Sequence, residues 1–97
     1  MDIERIAEME KYLAECTAAA EELNRGLDRM EEIRDHMTEL FRYYGSEEWY
    51  ADREGELPEG MPAGVLSEDL VYDRITEIRD AAFRMLETGT DILKNRI

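Results

Sequence analysis

The chain has one cysteine, two prolines, one tryptophan and one histidine, and no long uncharged stretch. Each shortage excludes a class of protein. A single cysteine, Cys16, permits neither an intrachain disulfide nor a thiolate zinc cluster, which suits a reducing, cytoplasmic setting. The longest run without charge is Gly60 to Ser67, far short of a membrane span. The opening MDIERIAEME alternates charged and apolar residues and does not read as a signal peptide. Bases are also scarce: 12 against 25 acids gives a net charge of −13, which opposes direct contact with nucleic acid or anionic lipid. No phosphate-binding glycine loop, nucleophile elbow or paired-cysteine motif occurs, so no cofactor is expected. What remains is 97 residues, 43% hydrophobic, enough for one small acidic domain over residues 1–97.

Residues 2–44 hold no proline and one glycine, Gly26. With Ile6 as a heptad a position, the core slots are Ile6, Met9, Leu13, Cys16, Ala20, Leu23, Leu27, Met30, Arg34, Met37, Phe41 and Tyr44. Eleven of these twelve are apolar, where composition alone gives about five. The spacing predicts a single helix over residues 2–44, roughly 64 Å long at 1.5 Å per residue. It also assigns Cys16 to a buried slot. The alternative is a break at Asn24-Arg25-Gly26, which would fold the chain into a monomeric three-helix bundle. The unbroken register from Leu23 to Leu27 and Met30 favours continuity.

Gly45 closes that helix, and residues 45–66 form a hinge loop. Ser46 is placed to cap a helical turn through Trp49. Gly55, Pro58, Gly60, Pro62 and Gly64 argue against regular structure over 53–66. Ser67, followed by Glu68 and Asp69, opens a second helix over 67–95, with Leu66 placed to staple onto Val71. Its seam is Val71, Ile75, Ile78, Ala82, Met85, Gly89 and Ile92, and Thr88-Gly89-Thr90 is its weak point. A third apolar column runs beside each seam: Tyr12, Ala19, Ile33 and Leu40, then Tyr72, Leu86 and Leu93. Stripes this wide belong to bundle helices.

The fold class expected is all-α, a long antiparallel helical hairpin. The first helix would overhang the second by about 14 residues, roughly 21 Å. That overhang leaves Ile3, Ile6, Met9 and Leu13 uncovered, each forgoing about 1.5–3 kcal/mol. Two hairpins covering each other's overhangs make a homodimeric four-helix bundle, so these four residues are the expected dimer interface.

The segments YYGSEEWYAD (43–52) and GVLSED (64–69) resemble a small bacterial domain family of unknown function. The likeness extends over nearly the whole chain and implies a bacterial, single-domain, mostly helical protein. It brings no activity with it.

Four of the eight aromatics, Tyr43, Tyr44, Trp49 and Tyr50, fall within eight residues, with Asp52 close behind. Such a cluster is either a recognition surface or the plug of the bundle's open end, with Asp52 accepting an indole or backbone hydrogen bond. Ser67-Glu68-Asp69 lacks a base to activate the serine, and capping accounts for all three. His36, with Glu32 and Glu39 a turn to either side, lacks the paired Glu-x-x-His sets of metal bundles, so no metal is expected. The acidic stretch Glu47–Glu59 lacks the spaced ligands of a calcium loop. Arg25, Arg29, Arg34 and Arg42 share their helix with twelve acids and read as exposed ion pairs.

The leading functional expectation is therefore a non-enzymatic structural or protein-interaction module, dimeric and acidic. One alternative is an acidic decoy for a nucleic-acid-binding protein, which the four bases interrupting the second helix, Arg74, Arg79, Arg84 and Lys94, weaken. The other is a small metal-binding or enzymatic domain built on the hinge carboxylates.

Overall fold

The structure is a computed structural model, and it describes residues 1–95. The fold is all-α: among the described residues there are four α-helices and one short 3-10 turn, and no strand. The helices are α1 (Ile3–Glu32), α2 (Arg34–Tyr43), α3 (Glu47–Glu54) and α4 (Glu68–Lys94), with the 3-10 turn Gly64–Leu66 between α3 and α4. Residue proximity divides the chain into two compact units, Met1–Thr38 and Glu39 onward, where the sequence alone suggested one domain.

In the first unit, α1 starts at Asp2, whose side chain accepts the Arg5 N–H at 3.0 Å. Gly26 lies inside α1, so the break considered at Asn24-Arg25-Gly26 is not there. The uninterrupted helix over 2–44 is also corrected. The interruption falls at Ile33, whose φ of −96° and ψ of 5° leave the helical basin. It costs little hydrogen bonding: Ile33 N–H still reaches Arg29 O at 3.2 Å, and Met37 N–H reaches Ile33 O at 2.9 Å. The distortion stands next to Arg34, the one polar residue in the apolar heptad.

The half-buried residues of this unit, Leu27, Met30, Ile33 and Met37, all belong to the seam or its flanking column. Towards the N-terminus the same seam is open. Ile3 is 75% exposed, Ile6 46%, Met9 50%, Leu13 59% and Leu23 55%. Cys16 is exposed too, contrary to its expected burial, because its slot lies in this uncovered part of the stripe. The ion pair Arg29–Glu32, at 3.4 Å, is solvent-exposed and contributes at most about 1 kcal/mol.

The second unit is organised by its caps. Gly45 at φ +79° takes the left-handed conformation that ends α2, and Ser46 N–H closes on Tyr43 O at 2.9 Å. Ser46 Oγ then accepts the Trp49 N–H at 3.2 Å and opens α3, which runs a full turn past Trp49 to Glu54. The glycine- and proline-rich stretch 53–66 is more regular than its composition suggests. It holds the end of α3, a turn closed by Met61 N–H to Pro58 O at 3.2 Å, and the 3-10 turn. Gly60 at φ +80° supplies the positive angle that this turn requires. Ser67 Oγ accepts the Leu70 N–H at 3.2 Å and caps α4 as its sequence indicated.

Val71 on α4 is buried, with 6% exposure, and Ile75 and Ile78 are half-buried behind it. α4 passes through Thr88-Gly89-Thr90 unbroken, so the weak point expected there does not interrupt it. The 3-10 turn packs on both α3 and α4. That approach is close enough for a Cβ on Gly64 to stand 2.9 Å from Leu70 Cδ2.

Two glycines test these assignments. Gly26→Ala should stabilise the protein by about 0.5–1 kcal/mol, since the site is helical and open around its Cα. Gly45→Ala should destabilise it by about 1–2 kcal/mol through the left-handed penalty. Urea unfolding monitored by circular dichroism reads both; a destabilising Gly26→Ala would mean that the helix ends there.

Candidate functional site: the aromatic hinge

Trp49 is the most buried residue among those described, with 1% exposure. The placement follows from local rules. Ser46 fixes the start of α3, which sets the third residue of that helix facing the 3-10 turn. The indole Nε1–H donates to the Val65 carbonyl at 2.9 Å, satisfying the one polar atom that burial would otherwise strand. Tyr44 and Tyr50 meet the indole edge-on, with centroids 5.1 and 5.0 Å away at 69° and 74°. The Arg53 guanidinium stacks 4.6 Å from its centroid. Burial of a side chain this size contributes roughly 4–6 kcal/mol as an upper estimate.

Two tyrosines tie the ends of the hinge. Tyr44 Oη donates to Glu68 O at 3.0 Å, joining the end of α2 to the start of α4. Tyr43 Oη donates to Asp52 Oδ2 at 2.6 Å, joining α2 to α3. The Asp52 carboxylate thus serves a tyrosine, where the sequence suggested an indole or backbone donor; its backbone carbonyl accepts the Gly55 N–H at 3.2 Å. The hydrogen bond to Asp52 is the main reason that the Tyr43 hydroxyl is pushed up to about 12, with desolvation and the Asp52 and Glu48 charges acting the same way. The Tyr44 hydroxyl is also raised, first by desolvation and then by the nearby Glu68 and Asp69 carboxylates.

The five aromatic-hinge residues are therefore brought together, in different roles. Trp49 lies inside, Tyr43 and Tyr44 are half-buried, and Tyr50 (57% exposed) and Asp52 face solvent. Any partner touching this end reaches its rim and not the indole. Sequence reasoning missed the loop residues that complete the site. A groove of about 400 Å³ runs between α3 and the following loop, lined by Tyr43, Asp52, Glu56, Leu57, Met61 and Val65, with Leu66 and Pro62 beside them. The signal was present as Leu57, Met61 and Val65 at four-residue intervals, inside a stretch that its prolines and glycines made look like linker. A larger concavity, about 660 Å³, opens beside Arg42, Ser46 and Glu47, with Leu40 and Tyr43 also in its lining.

His36 is exposed on α2, and no three of histidine, cysteine, aspartate and glutamate converge as a metal site among the described residues. No helix among them is long and apolar enough to cross a membrane.

A helical scaffold capped by serines and closed around one tryptophan defines a small all-α domain. The chain belongs to the family described as Domain of unknown function (DUF4298), whose model matches residues 6–88, a span that includes the whole hinge. No curated protein and no solved structure matches the chain.

Two measurements probe the hinge. Trp49→Phe leaves the Val65 carbonyl without its donor and should cost about 1–3 kcal/mol in urea unfolding. Tyr43 has a folded-state pKa of about 12, above its ordinary value of about 10. Its contribution is therefore complete below about pH 10 and lost as the pH rises towards 12. The difference in ultraviolet absorbance titration between the parent and Tyr43→Phe should show one tyrosine ionising near 12. An ordinary midpoint would mean that the bond to Asp52 does not persist in solution.

Proposed function

We propose that this chain is a non-enzymatic interaction module that pairs with a second copy of itself through α1 and docks another protein at its hinge. The observation that carries the first half is the exposed apolar face of α1. Ile6, Met9, Leu13 and Leu23 fall on one heptad stripe with Ile3 beside it, and all five are 46–75% exposed. Helices of this kind draw most of their stability from packing of that face, and in water the stripe has no compensation. Two copies laid stripe to stripe would recover about 1.5–3 kcal/mol for each large side chain covered.

Acids crowd the same stretch of α1, Glu4, Glu8, Glu10 and Glu15 among them. Each copy carries −13, so charge opposes the pairing while the apolar seam drives it. Salt should therefore tighten the dimer by screening the repulsion. The second half, docking at the hinge, is supported by the pinned aromatic cluster with Tyr50 and Asp52 at its rim.

Light scattering at micromolar concentration should give twice the chain mass of 11.4 kDa. Leu13→Asp, which places a charge in the stripe without touching the hinge, should return the single-chain mass. A parent protein that stays at 11.4 kDa in both low and high salt would remove the dimer.

A further inference from the structure

The groove beside α3 has three properties that together select a ligand. Its walls are large apolar side chains left open to solvent: Leu57 at 42% exposure, Met61 at 55% and Val65 at 39%. Its mouth is acidic, with Asp52 and Glu56 in the lining, and neither is ion-paired among the described residues. Its floor is held in place before anything binds. The Val65 carbonyl is pinned by the indole of Trp49 at 2.9 Å. The 3-10 turn is closed by Leu66 N–H to Ala63 O and Ser67 N–H to Gly64 O, both at 3.0 Å. Asp52 is held by the Tyr43 hydroxyl, which donates to its Oδ2 at 2.6 Å.

We propose that this groove docks a basic amphipathic segment of another protein, with an aliphatic side chain on Leu57, Met61 and Val65 and neighbouring arginines or lysines on Asp52 and Glu56. Charge complementarity argues for that occupant. A chain of net charge −13 attracts cationic segments from a distance and repels a second copy of itself from an already acidic mouth. An aliphatic anchor suits walls that include a methionine, whose unbranched thioether adapts to its contents. A groove of about 400 Å³ falls in the range of small-ligand and side-chain pockets. Because the floor is already ordered, binding spends little on ordering it. This inference deepens the docking half of the proposed function and does not depend on the α1 dimer.

The test is a titration of the full chain, labelled for methyl and amide NMR, with the blocked tetrapeptide Ac-Leu-Arg-Leu-Arg-NH2. Saturable shifts are expected at the methyls of Leu57, Met61 and Val65, weakening as salt rises. The counterparts Ac-Leu-Glu-Leu-Glu-NH2 and Ac-Gly-Arg-Gly-Arg-NH2, lacking the charge and the anchor respectively, should not saturate those methyls. Glu56→Gln should weaken binding roughly two- to fivefold and Met61→Ser roughly tenfold. Both residues are exposed, so circular dichroism should show an unchanged fold.

An equal response to the acidic peptide, or no saturable methyl shift, overturns the proposal. So do the same methyl shifts produced by diluting the protein alone, because a second copy would then fill the groove. Light scattering on the same samples keeps the two halves apart: a dimer that ignores the arginine peptide refutes the groove and leaves self-association standing.

Discussion

The second unit depends on one buried hydrogen-bonded side chain. Trp49 donates its indole N–H to the Val65 carbonyl, and through that contact the 3-10 turn, α3 and the start of α4 are held together. A buried tryptophan contributes by area, but its N–H would be a liability without a partner. Here the partner is a backbone carbonyl that the turn Gly64–Leu66 presents towards it. Gly64 matters for the same reason: that close approach leaves no room for a larger side chain without displacing Leu70. The hinge is therefore a packed structure, despite two prolines and four glycines between residues 45 and 64.

Around that centre the polar contacts act in series. Serines start α3 and α4, a left-handed glycine ends α2, and two tyrosine hydroxyls bridge segments that are distant along the chain. Each bond is modest, on the order of 1 kcal/mol. Their joint effect is geometric, since they aim Asp52 and the loop walls into one groove. A rigid, acid-rimmed apolar groove and an open apolar helix face are the two features from which a binding role is inferred. They sit in separate units of the chain, so one can be lost while the other is kept.

The helices, their caps and their apolar columns were legible in the sequence, because each depends on residues a few positions apart. Ser46 and Ser67 cap as their neighbours indicate, and the half-buried residues Leu27, Met30, Met37 and Phe41 are the heptad slots read from spacing. Less legible was the exposure of Cys16, which depends on whether its stretch of helix is covered at all. The interruption at Ile33 was missed because the polar slot at Arg34 carries no helix-breaking signal, and the one glycine lies seven residues earlier. A helix tolerates one interior glycine at about 1 kcal/mol, which the flanking turns readily absorb.

Short-range chemistry, then, was sufficient for the all-α class, the capped ends and the periodic apolar faces. Helix propensity, capping and heptad spacing act within one or two turns, and those forces can be summed along a string of letters. Tertiary structure alone decided that Trp49 reaches Val65, that Asp52 receives Tyr43, and that Leu57, Met61 and Val65 line a shared wall. Those pairings join residues up to 16 positions apart across irregular backbone. Spacing alone does not specify them there; they arise only once the loop has folded back against α3.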